Sequence, residues 1–203
     1  MKVKDSDIAY EKIKEKIILT ELMPGEKIVE NELMEECNLG RTPIREALTK
    51  LSYEGFIIIK PRKGMFVSEI NLKDLNKTLA LRLELIHYIS IEAIRYTTIE
   101  DINRIIELKN KNSKLERNYI NSILIDLDFH LIIYKLCRNS FLEEIMTKML
   151  YFSARMLVYK NEKNDIDKTL NDYDRLVEYI KNKDSKNLED LLRYHILDLE
   201  ERV

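Results

Sequence analysis

Residues 40–51, GRTPIREALTKL, and residues 55–67, GFIIIKPRKGMFV, decide the fold of the N-terminal part of the chain. Thr42 can cap a helix, and Pro43 suits its first position because proline has no N–H to leave unsatisfied. Gly55 then ends that helix. The apolar residues of the first segment recur at helical spacing: Ile44, Ala47, Leu48 and Leu51. The two segments therefore predict an amphipathic helix followed at once by a β-hairpin, with strands at about 56–60 and 64–68.

The polar face of this helix has the chemistry of a duplex-DNA reader. Arginine pairs bidentately with guanine, and threonine or backbone N–H groups bind phosphate. A glycine at the hairpin tip lets the backbone approach DNA closely. The alternative is a small helical domain whose arginines are simply solvated. The basic tip of the hairpin favours DNA binding over this alternative. We predict DNA contacts at Arg41, Thr42, Arg45, Thr49, Arg62, Lys63 and Gly64.

Charge is segregated along the chain, although the net charge is only −2. Residues 41–68 carry six lysines and arginines against two glutamates, so a DNA-binding field would be local. Cys37 and Cys137 are isolated, the N-terminus has no signal-peptide pattern, and no apolar run approaches membrane-spanning length. We expect a cytoplasmic protein with reduced thiols and no membrane contact.

Glycine and proline are confined to the first 64 residues, and the remaining 139 contain neither. Because these residues are the strongest breakers of helices, the remainder is predicted to consist of long helices joined by polar turns. We predict a mainly α protein with two domains, a winged helix-turn-helix over 1–70 and an all-helical bundle over 71–203. The bundle helices are expected at about 72–95, 99–111, 116–137, 141–159, 168–182 and 186–201.

Three polar side chains of the bundle, His130, His195 and Arg82, fall on apolar helix stripes. Asp126 and His130 are four residues apart and share a helix face, His195 lies on the stripe of the last helix, and Arg82 lies on that of the first. Buried groups of this kind need partners. One solution is a divalent metal held by the carboxylate and the two imidazoles, and the alternative is that each histidine bonds an ordinary neighbour in the core.

The segment from residue 24 to residue 67 resembles the winged helix-turn-helix of GntR-family bacterial transcription regulators. The shared pattern is P-G, R-T-P-x-R-E-A-L, L-x-x-E-G and P-x-x-G-x-x-V. Gly40 stands where the family usually has Ser or Thr, and Asn31 stands where some members have a phosphate-binding Arg. The resemblance implies DNA contacts at Arg41, Thr42, Arg45 and the wing residue Gly64.

The helical part is similar to the FCD ligand-sensing domain of the FadR-type branch of these regulators. There, D-x-x-F-H opens a metal site that two later histidines complete. Asp126 and His130 match that motif and His195 matches the last histidine, whereas Tyr173 occupies the place of the intermediate one. Arg82 matches an arginine that meets a carboxylate effector in similar proteins, and Ile86 replaces a neighbouring Glu. The resemblance implies an effector site at Arg82 and Tyr173.

Together these features predict a ligand-responsive transcription regulator, a repressor rather than an enzyme, with no catalytic residues. Its partners would be a double-stranded DNA operator, a small carboxylate effector and a second copy of the chain, with a divalent metal such as Zn or Ni as a possible cofactor. One alternative is a metal-free regulator that senses a larger hydrophobic acid or acyl thioester. A more remote alternative is a helical metalloenzyme with a two-His, one-carboxylate site.

Overall fold

The computed structural model describes residues 3–162 and 164–202, and the chain divides after Asn71 into two compact units. The described residues form nine helices and one two-stranded sheet, which confirms the predicted fold class, a winged helix-turn-helix followed by a helical bundle. The first unit contains α1 (Asp5–Ile18), α2 (Glu30–Cys37), α3 (Arg41–Tyr53), β1 (Ile57–Lys60) and β2 (Gly64–Val67).

Helix α3 begins two residues earlier than a Thr42 cap would require. Gly40 is the N-cap, with an extended backbone at φ −72° and ψ 170°, and no side chain caps the helix. The prediction that Thr42 caps α3 is therefore wrong, because the extended conformation that a cap needs is already taken by Gly40. Pro43 occupies the third helical position, whose N–H would have no acceptor within the helix in any case.

The core of the first unit lies between α1 and α3. Ile13 and Ile17 of α1 and Ile44 and Leu48 of α3 are fully buried, so the apolar stripe read from the sequence faces inward as expected. The hydroxyl of Tyr10 donates to the carboxylate of Glu54 beyond the end of α3. This packing leaves the opposite face of α3 exposed.

The hairpin is held to the rest of the first unit by a third backbone segment. β1 and β2 pair antiparallel from Ile57 with Val67 to Lys60 with Gly64. Residues 26–28 pair with the other edge of β2: Val67 N–H donates to the carbonyl of Glu26, and Ile28 N–H to that of Met65. The hairpin tip projects from this anchored edge with Arg62 at φ +64° and Gly64 at φ +109°.

The second unit is a bundle whose helices begin at polar caps instead of glycines or prolines. Side-chain oxygens of Asn118, Asn139 and Asp165 accept from backbone N–H groups at the starts of three helices, and Thr98 and Asp101 form a reciprocal capping box at a fourth. The helices are α4 (Leu72–Tyr96), α5 (Ile99–Asn112), α6 (Tyr119–Leu136), α7 (Ser140–Tyr159), α8 (Ile166–Asn182) and α9 (Ser185–Arg202).

Helix α4 packs against α6, α7 and α9, and helix α8 packs against α5, α6 and α9. Arg82, His130, Ser153 and Asp172 are buried on the inner faces of this bundle. A polar cluster thus lies where α4, α6, α7, α8 and α9 meet. Within the described ranges, no helix combines the length and apolar character needed to cross a membrane.

We predict that Asp101→Ala destabilises the helical unit by about 2 kcal/mol. The buried carboxylate of Asp101 accepts from the backbone N–H of Thr98, and it also binds the guanidinium of Arg138 at the turn before α7. The substitution removes the cap and leaves Arg138 without this anion. Urea unfolding followed by circular dichroism measures the loss. Glu100→Ala is the control, since Glu100 is exposed in the same helical turn and should change stability by less than about 0.5 kcal/mol. Equal effects of the two substitutions would contradict the assigned role of Asp101.

Candidate functional site

The exposed face of α3 presents the predicted DNA-contacting side chains. Arg41, Thr42, Arg45 and Thr49 are all exposed. The guanidinium of Arg41 donates to the Oδ1 atom of Asn31 at 3.4 Å. Arg45 Nε lies 3.6 Å from a carboxylate oxygen of Glu30, and 65% of the Arg45 side chain is exposed. Exposed pairs of this kind contribute at most about 1 kcal/mol, so both arginines can exchange these partners for phosphate or base edges.

The remaining cations near α3 divide into two groups. Arg62 and Lys63 are exposed at the hairpin tip together with Gly64. Lys50, by contrast, lies over the ring of Tyr10, with Nζ 3.6 Å from the ring centroid. Its charge is therefore directed toward α1. All seven residues that were predicted to contact DNA are thus exposed in the structure, either on α3 or at the hairpin tip.

The second candidate site is a cluster of Asp126, His130 and His195 inside the helical unit. One ligand atom from each residue can be chosen so that all three lie within 4.8 Å of one another. His130 Nε2 is 3.9 Å from Asp126 Oδ2, and His195 Nδ1 is 3.4 Å from Asp126 Oδ1. Helix α6 supplies the first two residues from adjacent turns of one face, and α9 supplies the third.

His195 is oriented by a residue that the sequence patterns did not indicate. Its Nε2–H donates to the Oδ2 atom of Asp172 on α8 at 3.0 Å, which leaves Nδ1 toward Asp126. The ring of Phe129 stacks on the imidazole at 5.2 Å between centroids. Asp172 is buried on the face of α8 that also buries Leu176, and this placement of a charged residue on a buried stripe is the signal that could have identified it.

The two imidazoles of the cluster have opposite electrostatic environments. Burial lowers the pKa of His130 to about 3, which keeps this ring neutral. Burial alone would also lower the pKa of His195, but hydrogen bonds with Asp126 and Asp172 outweigh it and raise that pKa to about 9. Burial opposes ionisation of Asp126, yet the neighbouring His130, His195 and Arg82 lower its pKa on balance. Asp126 is therefore an anion, as a metal ligand must be.

Arg82 is held beside this cluster with part of its hydrogen-bonding capacity unused. Its guanidinium donates to the hydroxyl of Ser153 at 3.2 Å and to that of Tyr134 at 3.3 Å. The Nε atom is buried and has no hydrogen-bond partner. Ser153 and Tyr134 fix the plane of the guanidinium, and neither was predicted from sequence as a site residue, because their role depends on contacts between distant helices.

A cavity of about 40 Å³ joins these groups. Its polar lining residues are Arg82, Asp126, His130, Ser153, Asn164, His195, Asp198 and Arg202, and its apolar walls are Ile123, Leu150, Ala154, Leu157 and Leu199. Three of these polar residues were not predicted from the sequence as site residues: Asn164, Asp198 and Arg202. They lie in the loop after α7 and at the end of α9.

Tyr173, which was predicted to contact the effector, is not among the residues that line this cavity. Its hydroxyl donates to the carbonyl of Ile125 at 3.4 Å and accepts from Asn112 at 3.3 Å. Burial raises its pKa, so the phenol stays neutral and is a poor metal ligand. The third histidine, His87, is exposed and pairs with Glu189, away from the cluster.

The remaining donor set fits a divalent ion. His130 is almost fully buried, its Nδ1 atom has no hydrogen-bond partner, and its Nε2 atom lies too far from Asp126 for a hydrogen bond. The Nε2 atom that faces Asp126 is therefore free to bind a metal, whereas the Nδ1 atom would keep no partner. The hydrogen bond from His195 to Asp172 is of the kind that orients a ligating histidine. Three protein ligands leave coordination positions open for another molecule.

We predict that Arg45→Ala abolishes specific DNA binding, lowering affinity by at least about tenfold, because a contact of an arginine with a base is worth about 1–3 kcal/mol. The measurement is a gel-shift assay on DNA sequences selected by the wild-type protein from a random pool. Lys50→Gln is the matched control, since it removes the same charge from the same helix at a side chain that lies over Tyr10. Retained affinity in Arg45→Ala would remove α3 from the interface.

We predict that His130→Asn eliminates stabilisation of the protein by divalent metal. A metal present at 100 times its dissociation constant stabilises the wild-type fold by about 2.7 kcal/mol. Thermal unfolding with and without Zn²⁺ or Ni²⁺, together with elemental analysis, measures this difference. His87→Asn is the control, because that histidine is exposed and outside the cluster. If both variants retain the metal-dependent shift, His130 is a core residue and not a ligand.

Comparison with known proteins gives one family match in each of the two units. Residues 6–67 match the family described as bacterial regulatory proteins, gntR family, and residues 82–198 match the FCD domain. The uncharacterized regulator YdhC of Bacillus subtilis is 24% identical over 183 residues, which cover 87% of this chain and 81% of that protein. A regulator from an unstable DNA locus of Streptomyces ambofaciens is 39% identical over 62 residues, which are 30% of this chain and only 26% of that protein.

The fold is also that of a solved regulator. The structure of E. coli McbR/YncC superimposes with a TM-score of 0.80 at 21% identity and covers 99% of each chain. At this identity the likeness establishes the fold, and the two family matches establish the class. The chain belongs to the GntR family of bacterial regulatory proteins and is a DNA-binding transcription regulator with an FCD domain.

Proposed function

We propose that this protein is a homodimeric repressor whose helical unit binds a small carboxylate, with a divalent metal as part of the binding site. The observation that carries the proposal is the cavity beside Asp126, His130 and His195, where Arg82 Nε is a buried donor without an acceptor. An unsatisfied buried donor costs about 1–3 kcal/mol. A ligand with acceptor oxygens removes that cost, and a carboxylate is the commonest small acceptor for a guanidinium.

The ligands proposed for the ion are Asp126, His130 and His195, and this mixture of carboxylate and imidazole suits Zn²⁺ or Ni²⁺. When bound, the ion would supply a Lewis acid for the carboxylate oxygens of the effector. Arg82 would orient the same carboxylate, because Ser153 and Tyr134 already fix its guanidinium. Asp172 would hold the His195 ring in its ligating orientation through the Nε2 hydrogen bond.

The size of the cavity favours a small effector over the larger hydrophobic acid or acyl thioester. About 40 Å³ accommodates a few water-sized groups and not a long acyl chain. Polar side chains also make up more than half of the lining residues. A hydrophobic acid would leave their donors and charges without partners, which is unfavourable in a buried site.

A metal-free form of the same sensor is a second candidate. Without an ion, a protonated His195 donates to Asp172 and lies against Asp126, so the two carboxylates share one cation. That arrangement satisfies His195 and Asp126, although it leaves His130 without a partner. Elemental analysis of protein purified without chelators separates the two forms: a stoichiometric transition metal supports the metal-dependent sensor, and its absence supports the metal-free one.

Repression would follow from a difference in effector affinity between the DNA-bound and free proteins. An effector that binds the free form more tightly lowers operator affinity by the same factor. In a homodimer, two copies of α3 would read half-sites about one helical turn apart on a near-palindromic operator. We place this activity in the cytoplasm, where the operator is accessible.

We predict that Arg82→Gln retains operator binding but loses the response to the effector. The substitution removes the buried cation and its unsatisfied Nε–H, while α3 and the hairpin are unchanged. Fluorescence anisotropy of labelled operator DNA, titrated with a panel of small carboxylates and divalent metals, measures the response. Arg104→Gln removes an exposed arginine of the same unit and should respond as the wild type does. A normal response in Arg82→Gln would exclude Arg82 from the effector site.

A further inference from the structure

The loop after α7 and the end of α9 contribute a second polar group to the cavity. Asn164 Oδ1 accepts from both terminal nitrogens of Arg202, each at 3.1 Å. One of these nitrogens also donates to Asp198 Oδ2 at 3.3 Å. All three residues line the same cavity as Arg82 and the proposed metal ligands.

Two donors of this group have no acceptor. Arg202 Nε and Asn164 Nδ2 are both buried without a hydrogen-bond partner. The amide orientation of Asn164 follows from its neighbour, because only the oxygen can face the two N–H groups of Arg202. Its NH₂ group is therefore fixed as a donor and cannot turn to relieve the deficit. The two unsatisfied donors lie on side chains that are hydrogen-bonded to each other.

The distribution of unsatisfied donors over the described chain supports a ligand with two acceptor ends. Four of the five buried side-chain atoms without a partner belong to residues that line this one cavity: Arg82, His130, Asn164 and Arg202. His195 and Arg202 are seven residues apart on α9, so they lie on the same side of the helix roughly 10 Å apart along its axis. Arg202 therefore reaches the cavity from a different turn of α9 than His195 does.

We infer that Asn164 and Arg202 form a second carboxylate-binding end of the effector cavity, so that the effector is a short dicarboxylate rather than a monocarboxylate. This inference rests on the proposed effector function and adds the ligand class and two specificity-determining residues. Arg82 and the metal ligands hold one carboxylate, and Asn164 Nδ2 and Arg202 Nε hold the other.

The test is isothermal titration calorimetry of the full chain with acids of matched length, succinate against butyrate and malonate against propionate, with and without Zn²⁺. The wild-type protein should bind each dicarboxylate at least about tenfold more tightly than its monocarboxylate, since a hydrogen bond to a charged group contributes about this factor or more. Equal affinities for the two acids of a pair would overturn the inference.

Two variants test the residues of the proposed second carboxylate-binding end. Asn164→Asp keeps the oxygen that accepts from Arg202 but replaces the free donor with an acceptor, so dicarboxylate affinity should fall about tenfold or more while monocarboxylate affinity changes little. Arg202→Gln should have the same selective effect. Asn161→Asp adds the same charge at an exposed position of the same loop and serves as the control. An equal loss for both acids would show a merely structural role and overturn the inference.

The outcomes also separate this inference from the proposed function. If monocarboxylates bind through Arg82 and dicarboxylates gain nothing, the sensor stands and its second end is refuted. If neither class of acid binds the wild-type protein or changes operator affinity, both are refuted. Thermal unfolding of each variant confirms that it is folded, and Asn164→Asp is nearly isosteric, so the test does not depend on Arg202→Gln alone.

Discussion

The helical unit depends on the pair of hydrogen-bonding contacts that His195 makes with two carboxylates. Its Nε2–H donates to Asp172 on α8, and its Nδ1 atom faces Asp126 on α6. An ionised carboxylate in a helix bundle is tolerated only with a partner at the right distance. These contacts therefore fix how α6, α8 and α9 are rotated and shifted relative to one another. Phe129 stacks on the same ring and excludes the rotations that would break them.

The arginines of the two candidate sites differ in how firmly their side chains are held. The arginines of α3 are exposed and only loosely paired, with Arg45 3.6 Å from Glu30, so they can take new partners with little loss. The guanidinium of Arg82 is buried and fixed by two hydroxyls, so its remaining donor is directed before any ligand arrives. Loose pairing suits a surface that meets many DNA sequences, and fixed orientation suits a cavity that distinguishes small molecules.

Most of the fold was predictable because its signals are local. The absence of glycine and proline after residue 64 predicted the long helices, whereas the caps Asn139 and Asp165 that start two of them were seen only in the structure. The N-terminus of α3 was misplaced by two residues, because Gly40 and Thr42 are both acceptable caps and the choice depends on the preceding turn. Periodicity likewise identified Asp126, His130, His195 and Arg82, since each is a polar residue on an apolar stripe.

The other residues of the cavity and its surroundings could not be predicted from helix periodicity. Their roles depend on contacts with residues that are far away in the sequence. Asp172 lies next to Tyr173, and the helix register alone does not say which of them reaches His195. In the structure, Asp172 forms the hydrogen bond with His195, and the hydroxyl of Tyr173 accepts from Asn112. Asn164 and Arg202 acquire a role only because a loop and a helix end converge on one cavity.

The unsatisfied donors of that cavity link ligand binding to the stability of the helical unit. Each buried N–H without an acceptor raises the free energy of the ligand-free fold, and a ligand that supplies acceptors removes this cost along with forming its own contacts. The donors belong to α4, α6, α9 and the loop after α7, so the proposed effector would join four segments that otherwise meet at incompletely paired atoms. Ligand binding should therefore stiffen the unit as a whole. Because coupling between two sites is reciprocal, any difference in this packing between the DNA-bound and free states appears as a change in operator affinity.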